Sequence, residues 1–287
     1  VGGGLLEVII SPIVEACPSE HKAKTMSLLH SFYCWGSAGV VVVSTLFLAL
    51  FGSGSWRVLA LLWALLPIVN GLFFLKTPLA PLVADGEKGM TAGELFRSKM
   101  FWVVILMMVC AGASEQAVSQ WASTFAEKGL GVSKALGDLA GPTVFSLLMG
   151  LSRLIYGKRG DQMDLTKTML ACCGLCAAAY LLIGLTQSPL AGLAGVGLCG
   201  FSVGIFWPGT FSTAAASLRR GGTALFALMA LAGDLGCSAG PTVAGAVAGA
   251  LGDNLRAGIL CGLAFPLLMT VGVLLMKRLS REKTPQG

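Results

Sequence analysis

Long apolar runs alternate with short clusters of basic residues along this chain, and no other feature constrains its fold as strongly. Nine apolar stretches span residues 1–17, 25–51, 56–75, 100–125, 139–157, 166–186, 190–217, 222–250 and 256–276. Most exceed the roughly 18 to 20 residues that a helix needs to cross a bilayer core. The pattern therefore predicts a series of membrane-spanning helices.

The basic residues between these stretches are heavily biased toward every second gap. One set of gaps, with the C-terminal tail, holds 16 of the 20 Lys and Arg residues, among them Arg153, and the other set holds Arg57, Lys128, Lys134 and Arg256. Cytoplasmic loops carry the Lys and Arg excess in membrane proteins. We therefore expect a multi-pass protein of the cell (plasma or inner) membrane that begins outside, crosses nine times and ends in the cytoplasm.

Composition excludes several classes of protein. Hydrophobic residues make up 55% of the 287 residues and charged residues only 12%, whereas soluble domains carry about 25% charge. The net charge of +6 follows from the cytoplasmic loops and does not indicate a nucleic-acid partner. The nine cysteines lie mostly inside apolar stretches, which predicts packing roles. We expect no metal, no cofactor and a monomer in the lipid bilayer.

The longest cytoplasmic gap divides the chain into two bundles. Residues 1–75 form a three-span N-terminal half, 76–99 the loop between halves, 100–276 a six-span C-terminal half and 277–287 a tail. The sequence at 137–143 is echoed at 233–242, three spans later, as in an inverted repeat. The predicted fold is an all-α integral membrane bundle of two pseudo-symmetric halves, and we expect three further N-terminal spans to complete the first half.

Three carboxylates fall near the predicted bilayer centre, at Glu7, Glu115 and Asp234. A charge at that depth costs about 2.5 to 3.5 kcal/mol on insertion scales. We expect no basic residue at similar depth, so each carboxyl would reduce this cost by holding a proton. The three are therefore candidates for proton coupling, and the alternative is a neutral carboxyl that only hydrogen-bonds a neighbouring helix.

Two groups of polar and aromatic residues are candidates for solute binding. His30, Tyr33 and Trp35 share the second stretch, and Gln116, Gln120 and Trp121 share the fourth. A few polar groups in an apolar wall are typical of a small-molecule site, and amides beside an aromatic ring suit a hydroxyl-rich solute. The alternative is hydrogen bonding between helices.

Two segments resemble the fucose–proton symporters and related sugar carriers of the major facilitator superfamily. Leu6-Glu7 followed by Ser11-Pro12 is similar to the L-E-x-x-x-N-P motif of that branch's fourth span, whose Glu is implicated in proton coupling. The segment 30–36 is similar to its fifth-span Q-T-F-N-S-F-G, which lines the sugar cavity, with His30 and Tyr33 replacing the Gln and Asn. The resemblance covers the whole chain as the fourth to twelfth spans.

A third segment resembles a signature of the wider superfamily. Arg153, Gly157 and Asp161 match R-x-x-x-G-x-x-x-D, which belongs to the cytoplasmic gating loop that latches the two halves. The basic residue that follows the Asp in that signature is Gln162 here.

Together these features predict a secondary active transporter that moves a small polar solute, with a sugar as the expected class, by alternating access with proton symport. A multidrug or other small-molecule exporter of the same superfamily is one alternative, and a membrane solute sensor that does not transport is another. We do not expect an enzyme, because the sequence offers no nucleophile and base that would face each other inside the bundle.

Overall fold

The computed structural model describes residues 2–80, 89–129 and 131–282. Its helices are α1 (Gly2–Ala16), α2 (Lys22–Phe51), α3 (Trp56–Phe74), α4 (Ala92–Phe96), α5 (Lys99–Ser119), α6 (Ala122–Thr124), α7 (Lys134–Arg159), α8 (Leu165–Leu185), α9 (Pro189–Val203), α10 (Phe206–Ser217), α11 (Gly222–Ala250), α12 (Leu255–Cys261) and α13 (Ala264–Glu282). A π-helical turn, Phe125–Gly129, and two 3₁₀ turns, Ser53–Ser55 and Gly160–Gln162, complete the regular structure of this part of the chain.

The predicted all-helical membrane bundle is confirmed. Within the described ranges, eight segments are long and apolar enough to cross a membrane, and they coincide with the second to ninth predicted stretches. The first stretch corresponds to α1, which has 15 residues. The last helix, α13, continues to Glu282, so it runs into the segment predicted to be the tail.

The stretch at 190–217 is two helices in line, and proline chemistry explains the break. Pro208 has no N–H to donate to the carbonyl of Gly204, four residues earlier, and its ring crowds that carbonyl. Helix α9 accordingly ends at Val203 and α10 begins at Phe206. The Gly204 carbonyl is left without its intrahelical donor.

Among the described helices of the six-span half, α5 and α11 make the most extensive contact, and glycine permits it. A Cβ added to Gly236 would lie 2.1 Å from the Val109 carbonyl oxygen, and one added to Gly112 would lie 2.3 Å from that of Gly233. Small residues let membrane helices approach until their backbones touch. This contact fixes α5, which carries Glu115, against α11, which carries Asp234.

The three-span half meets the six-span half mainly through α2 and α7. A Cβ on Gly157 would lie 3.7 Å from the Leu28 nitrogen, and the hydroxyls of Ser37 and Ser146 are 3.3 Å apart. These contacts extend from the start of α2 to its middle. Farther along, about half of the apolar side chains of α2 and most of those of α3 are exposed, as expected for faces that meet lipid.

Residues 89–98, the described end of the loop between the halves, contact the six-span half. The Met90 N–H donates to the Arg220 carbonyl at 2.7 Å. Thr91 and Glu94 form a capping box at the start of α4, and the hydrogen bonds from Thr91 hold the pKa of Glu94 below its usual range. The boundaries of the loop remain a prediction, and residues 81–88 lie outside the described residues.

Candidate functional site

A buried ion pair joins α7 to α5. The Arg153 guanidinium Nη2 is 3.4 Å from Glu115 Oε2, and the two residues are 2% and 4% exposed. The sequence expectation that no basic residue lies near the buried carboxyls is therefore wrong for Glu115. Arg153 belongs to the protein interior, and the remaining basic residues still show a 15 to 4 bias between the two sides.

Arg153 also hydrogen-bonds the backbone of two other segments. Its Nη1 donates to the His30 carbonyl at 2.7 Å, and its Nε donates to the Gly204 carbonyl at 2.9 Å. The second acceptor is the carbonyl that Pro208 leaves without a helical donor. The Arg153 side chain thus links α7 to α5, to the break between α9 and α10, and to α2 of the other half.

Two further side chains of α2 surround the guanidinium. Cys34 Sγ is 3.1 Å from Arg153 Nη1, and the Tyr33 ring centroid is 5.9 Å from Arg153 Cζ, a cation–π distance. Tyr33 is 56% exposed, so it separates the buried ion pair from an open face of the protein. Ser27 Oγ donates to the Arg153 carbonyl at 2.8 Å and adds to the same contact between halves.

His30 lies in an aromatic cluster between α2 and α10. Its ring centroid is 5.7 Å from that of Phe211 and 6.5 Å from that of Trp207. Among the described side chains, His30 Nε2 and Trp207 Nε1 are buried polar atoms with no hydrogen-bond partner. Buried polar groups normally have partners, so these two atoms are unusual for a protein interior.

The structure brings only some of the predicted binding residues together. Gln116 Nε2 is 3.5 Å from Glu115 Oε1, which joins Gln116 to the ion pair. Gln120 is exposed at the end of α5. Trp121 donates its indole N–H to the Pro241 carbonyl at 3.0 Å, and Trp35 packs near Gly150 of α7. Binding roles for these residues remain predictions.

Asp234 and Glu7 lie on two helices that contact each other, α11 and α1. Asp234 is half-buried and has no hydrogen bond or ion pair to another described residue. Its neighbour Gly233 packs against the Trp207 indole, which places this turn of α11 beside the aromatic cluster. Glu7 is helical, and its side chain lies outside the described residues.

Comparison with known proteins decides the family. The sequence profile of the Major Facilitator Superfamily matches residues 1–241. The chain belongs to the major facilitator superfamily. Members of this superfamily are transporters and not enzymes. The expectation that the chain is not an enzyme is therefore confirmed. A search of curated proteins gave no match.

Solved structures of superfamily members share the fold. One, described as a Major Facilitator Superfamily transporter, FucP, in the outward conformation, has a TM-score of 0.73 at 16% identity, with 96% of this chain and 73% of that chain covered. Another, a variant of the E. coli fucose:proton symporter FucP, has a TM-score of 0.76 at 17% identity, with 96% and 74% covered. At this identity the likeness shows the fold alone.

The predicted gating-loop residues of this superfamily member do not lie together in a loop. Arg153 and Gly157 are inside α7, because that helix continues to Arg159, and only Asp161 follows it, in the Gly160–Gln162 turn. Gly157 faces the α2 backbone and Arg153 bonds it. Arg153 thus makes a hydrogen bond between the halves from within a helix of the bundle. A gating role for these three residues remains a prediction.

The aromatic partners of His30 were not among the predicted site residues. Trp207 and Phe211 are one turn apart on α10 and are buried. The sequence carries a signal only for the break beside them: Pro208 sits in the middle of an apolar stretch, and a proline there frees a carbonyl for a partner elsewhere. That partner is Arg153.

Proposed function

We propose that this superfamily member is a proton symporter for a small polar solute, with a sugar as the expected class. The observation that carries the proposal is the Arg153–Glu115 ion pair, because Arg153 also binds α2 of the other half. Protonation of Glu115 would remove its charge and weaken the ion pair. Arg153 would then be free to leave the His30 carbonyl, and the halves could separate at this contact.

Solute binding would occur on the open side of the ion pair. Tyr33 and Gln116 present a phenol and an amide there, and both are at least partly exposed. Below them the His30 Nε2 and Trp207 Nε1 atoms, which lack partners in this arrangement, would become available as α2 and α10 part. Hydroxyl groups of a solute can hydrogen-bond to all four of these side chains, and the aromatic rings can stack on the apolar face of a sugar ring.

The three mid-membrane carboxylates are proposed to take part in coupling, and Glu115 has the best structural support. We expect Glu115→Gln, in protein reconstituted into liposomes, to retain exchange of labelled solute between equal concentrations. Accumulation driven by an acid-outside pH gradient should fall at least tenfold, because the amide cannot carry a proton. Glu7→Gln and Asp234→Asn should be measured in the same way.

The control is Glu94→Gln, which removes a carboxylate from the capping box of α4 outside the bundle and should leave accumulation unchanged. A panel of monosaccharides and cationic dyes should be tested as solutes. Dye efflux without sugar uptake would favour the exporter, and solute binding without any flux would favour the sensor. A Glu115→Gln protein that still concentrates solute would contradict coupling through this residue.

The orientation is proposed from the charge bias. A reporter fused after Gly287 should be cytoplasmic, and a tag inserted in the 252–254 turn between α11 and α12 should be accessible from outside. Protease protection in intact cells measures both. The opposite labelling pattern would overturn the orientation.

A further inference from the structure

A cavity opens between α5, α8, α10 and α13 on the predicted cytoplasmic side, away from the ion pair. Its volume is about 660 Å³. The inner wall is formed by buried thioether side chains, Met107, Met169 and Met276, and the Thr213 hydroxyl lies beside them. Lys277 and Arg281 line the same cavity and are exposed. Its lining is thus apolar inside and cationic at the exposed rim.

The two cations are arranged as a pair. Lys277 and Arg281 are four residues apart on α13 and therefore lie on the same face of that helix. A second cavity of about 410 Å³ lies against the same two side chains. No Asp or Glu among the described residues lines either cavity, so an anion that binds between Lys277 and Arg281 would meet no repelling carboxylate from this part of the chain.

The second cavity continues onto an apolar surface. Leu274 lines it together with the cations, and the exposed side chains Leu267, Val271 and Leu274 follow one another along α13. An occupant that fits this arrangement has an anionic head and an apolar body. Basic pockets at the cytoplasmic ends of membrane helices bind the head groups of anionic lipids.

We propose that this site binds the phosphodiester head group of an anionic phospholipid of the cytoplasmic leaflet. The phosphate would lie between Lys277 and Arg281 at the rim of the larger cavity, and the acyl chains would lie along α13 over Leu274. The site differs from the general attraction of cytoplasmic loops for an anionic leaflet, because it joins a cavity, two cations on one helical face and a continuous apolar surface.

Thermal unfolding of the full chain in an uncharged detergent tests the proposal. Dioctanoyl phosphatidylglycerol, titrated into the sample, should raise Tm saturably by roughly 5 °C or more. The same concentrations of dioctanoyl phosphatidylcholine or of sodium phosphate should have little effect. Lys277→Gln with Arg281→Gln should abolish the phosphatidylglycerol shift.

The matched control is Lys158→Gln with Arg159→Gln, which removes two exposed cations from the end of α7 on the same side. That protein should keep the shift. Ser280→Trp, which keeps both cations but narrows the larger cavity, should lose most of it, and this variant tests the site even if the double Gln variant does not fold. Equal loss in both double variants, an equal shift with sodium phosphate, or a full shift in Ser280→Trp would overturn the proposal.

Discussion

Arg153→Met should unfold far more readily than the parent protein, and adding Glu115→Gln should restore much of the lost stability. The single substitution leaves the Glu115 carboxylate buried without its cation and removes the donor from the Gly204 carbonyl. Breaking a buried pair from one side costs about 3 to 5 kcal/mol. We therefore expect Tm in detergent to fall by roughly 6 to 20 °C.

The double variant distinguishes the contribution of the charge pair from that of the backbone hydrogen bonds that Arg153 donates. With both charges gone, no uncompensated ion stays in the interior, and neutral replacement of a buried pair costs much less than removal of one partner. Arg57→Met is the matched control, because Arg57 is exposed and its guanidinium lies over the Trp56 ring at 5.4 Å. A double variant as unstable as Arg153→Met would show that the backbone hydrogen bonds of Arg153, and not the charge pair, provide the stability.

Gly236→Ala should severely reduce the yield of folded protein. The added methyl carbon would lie 2.1 Å from the Val109 carbonyl oxygen, and a backbone atom can move away only if α5 and α11 separate. Gly112→Ala should have a similar effect, because its methyl group would lie 2.3 Å from the Gly233 carbonyl oxygen. Fluorescence-detected gel filtration of solubilised membranes measures the monodisperse fraction, which we expect to fall more than fivefold for each variant.

Gly249→Ala is the control on the same helix. Nothing lies within 4 Å of the position of its Cβ, and Ala is favoured over Gly in a helix by about 1 kcal/mol. Its yield should equal or exceed that of the parent. If Gly236→Ala gave the parent's yield as well, the close α5–α11 contact would not be required for folding.

The bundle could be predicted from the sequence because its determinants are periodic and local. Apolar length predicted the spans, and the helices follow the predicted stretches closely, even where Pro208 splits one of them. The place of Glu115 along its helix was also predictable, since helical rise converts sequence position into distance from the helix end. It is one of the most buried polar residues in the described structure.

The partner of Glu115 could not be predicted in this way. Arg153 was grouped with Lys158 and Arg159 because they are neighbours in sequence, although six residues of helix place it about 9 Å deeper. Which helices face each other depends on long-range packing, such as the contact of Gly157 with α2. Trp207 was not predicted either, because its position beside His30 also depends on long-range packing. In the sequence, an indole in an apolar stretch looks the same whether it lines a site or fills the core.

Arg153, at the junction of the two halves, donates hydrogen bonds to backbone carbonyls of both halves. It contacts α2 through the carbonyl of residue 30 and the α9–α10 break through the carbonyl of residue 204, and neither oxygen depends on the side chain at that position. The residue at position 30 can therefore change without loss of this hydrogen bond. If residue 30 contacts the solute, as proposed, a substitution there would alter solute preference and leave the link between the two halves in place.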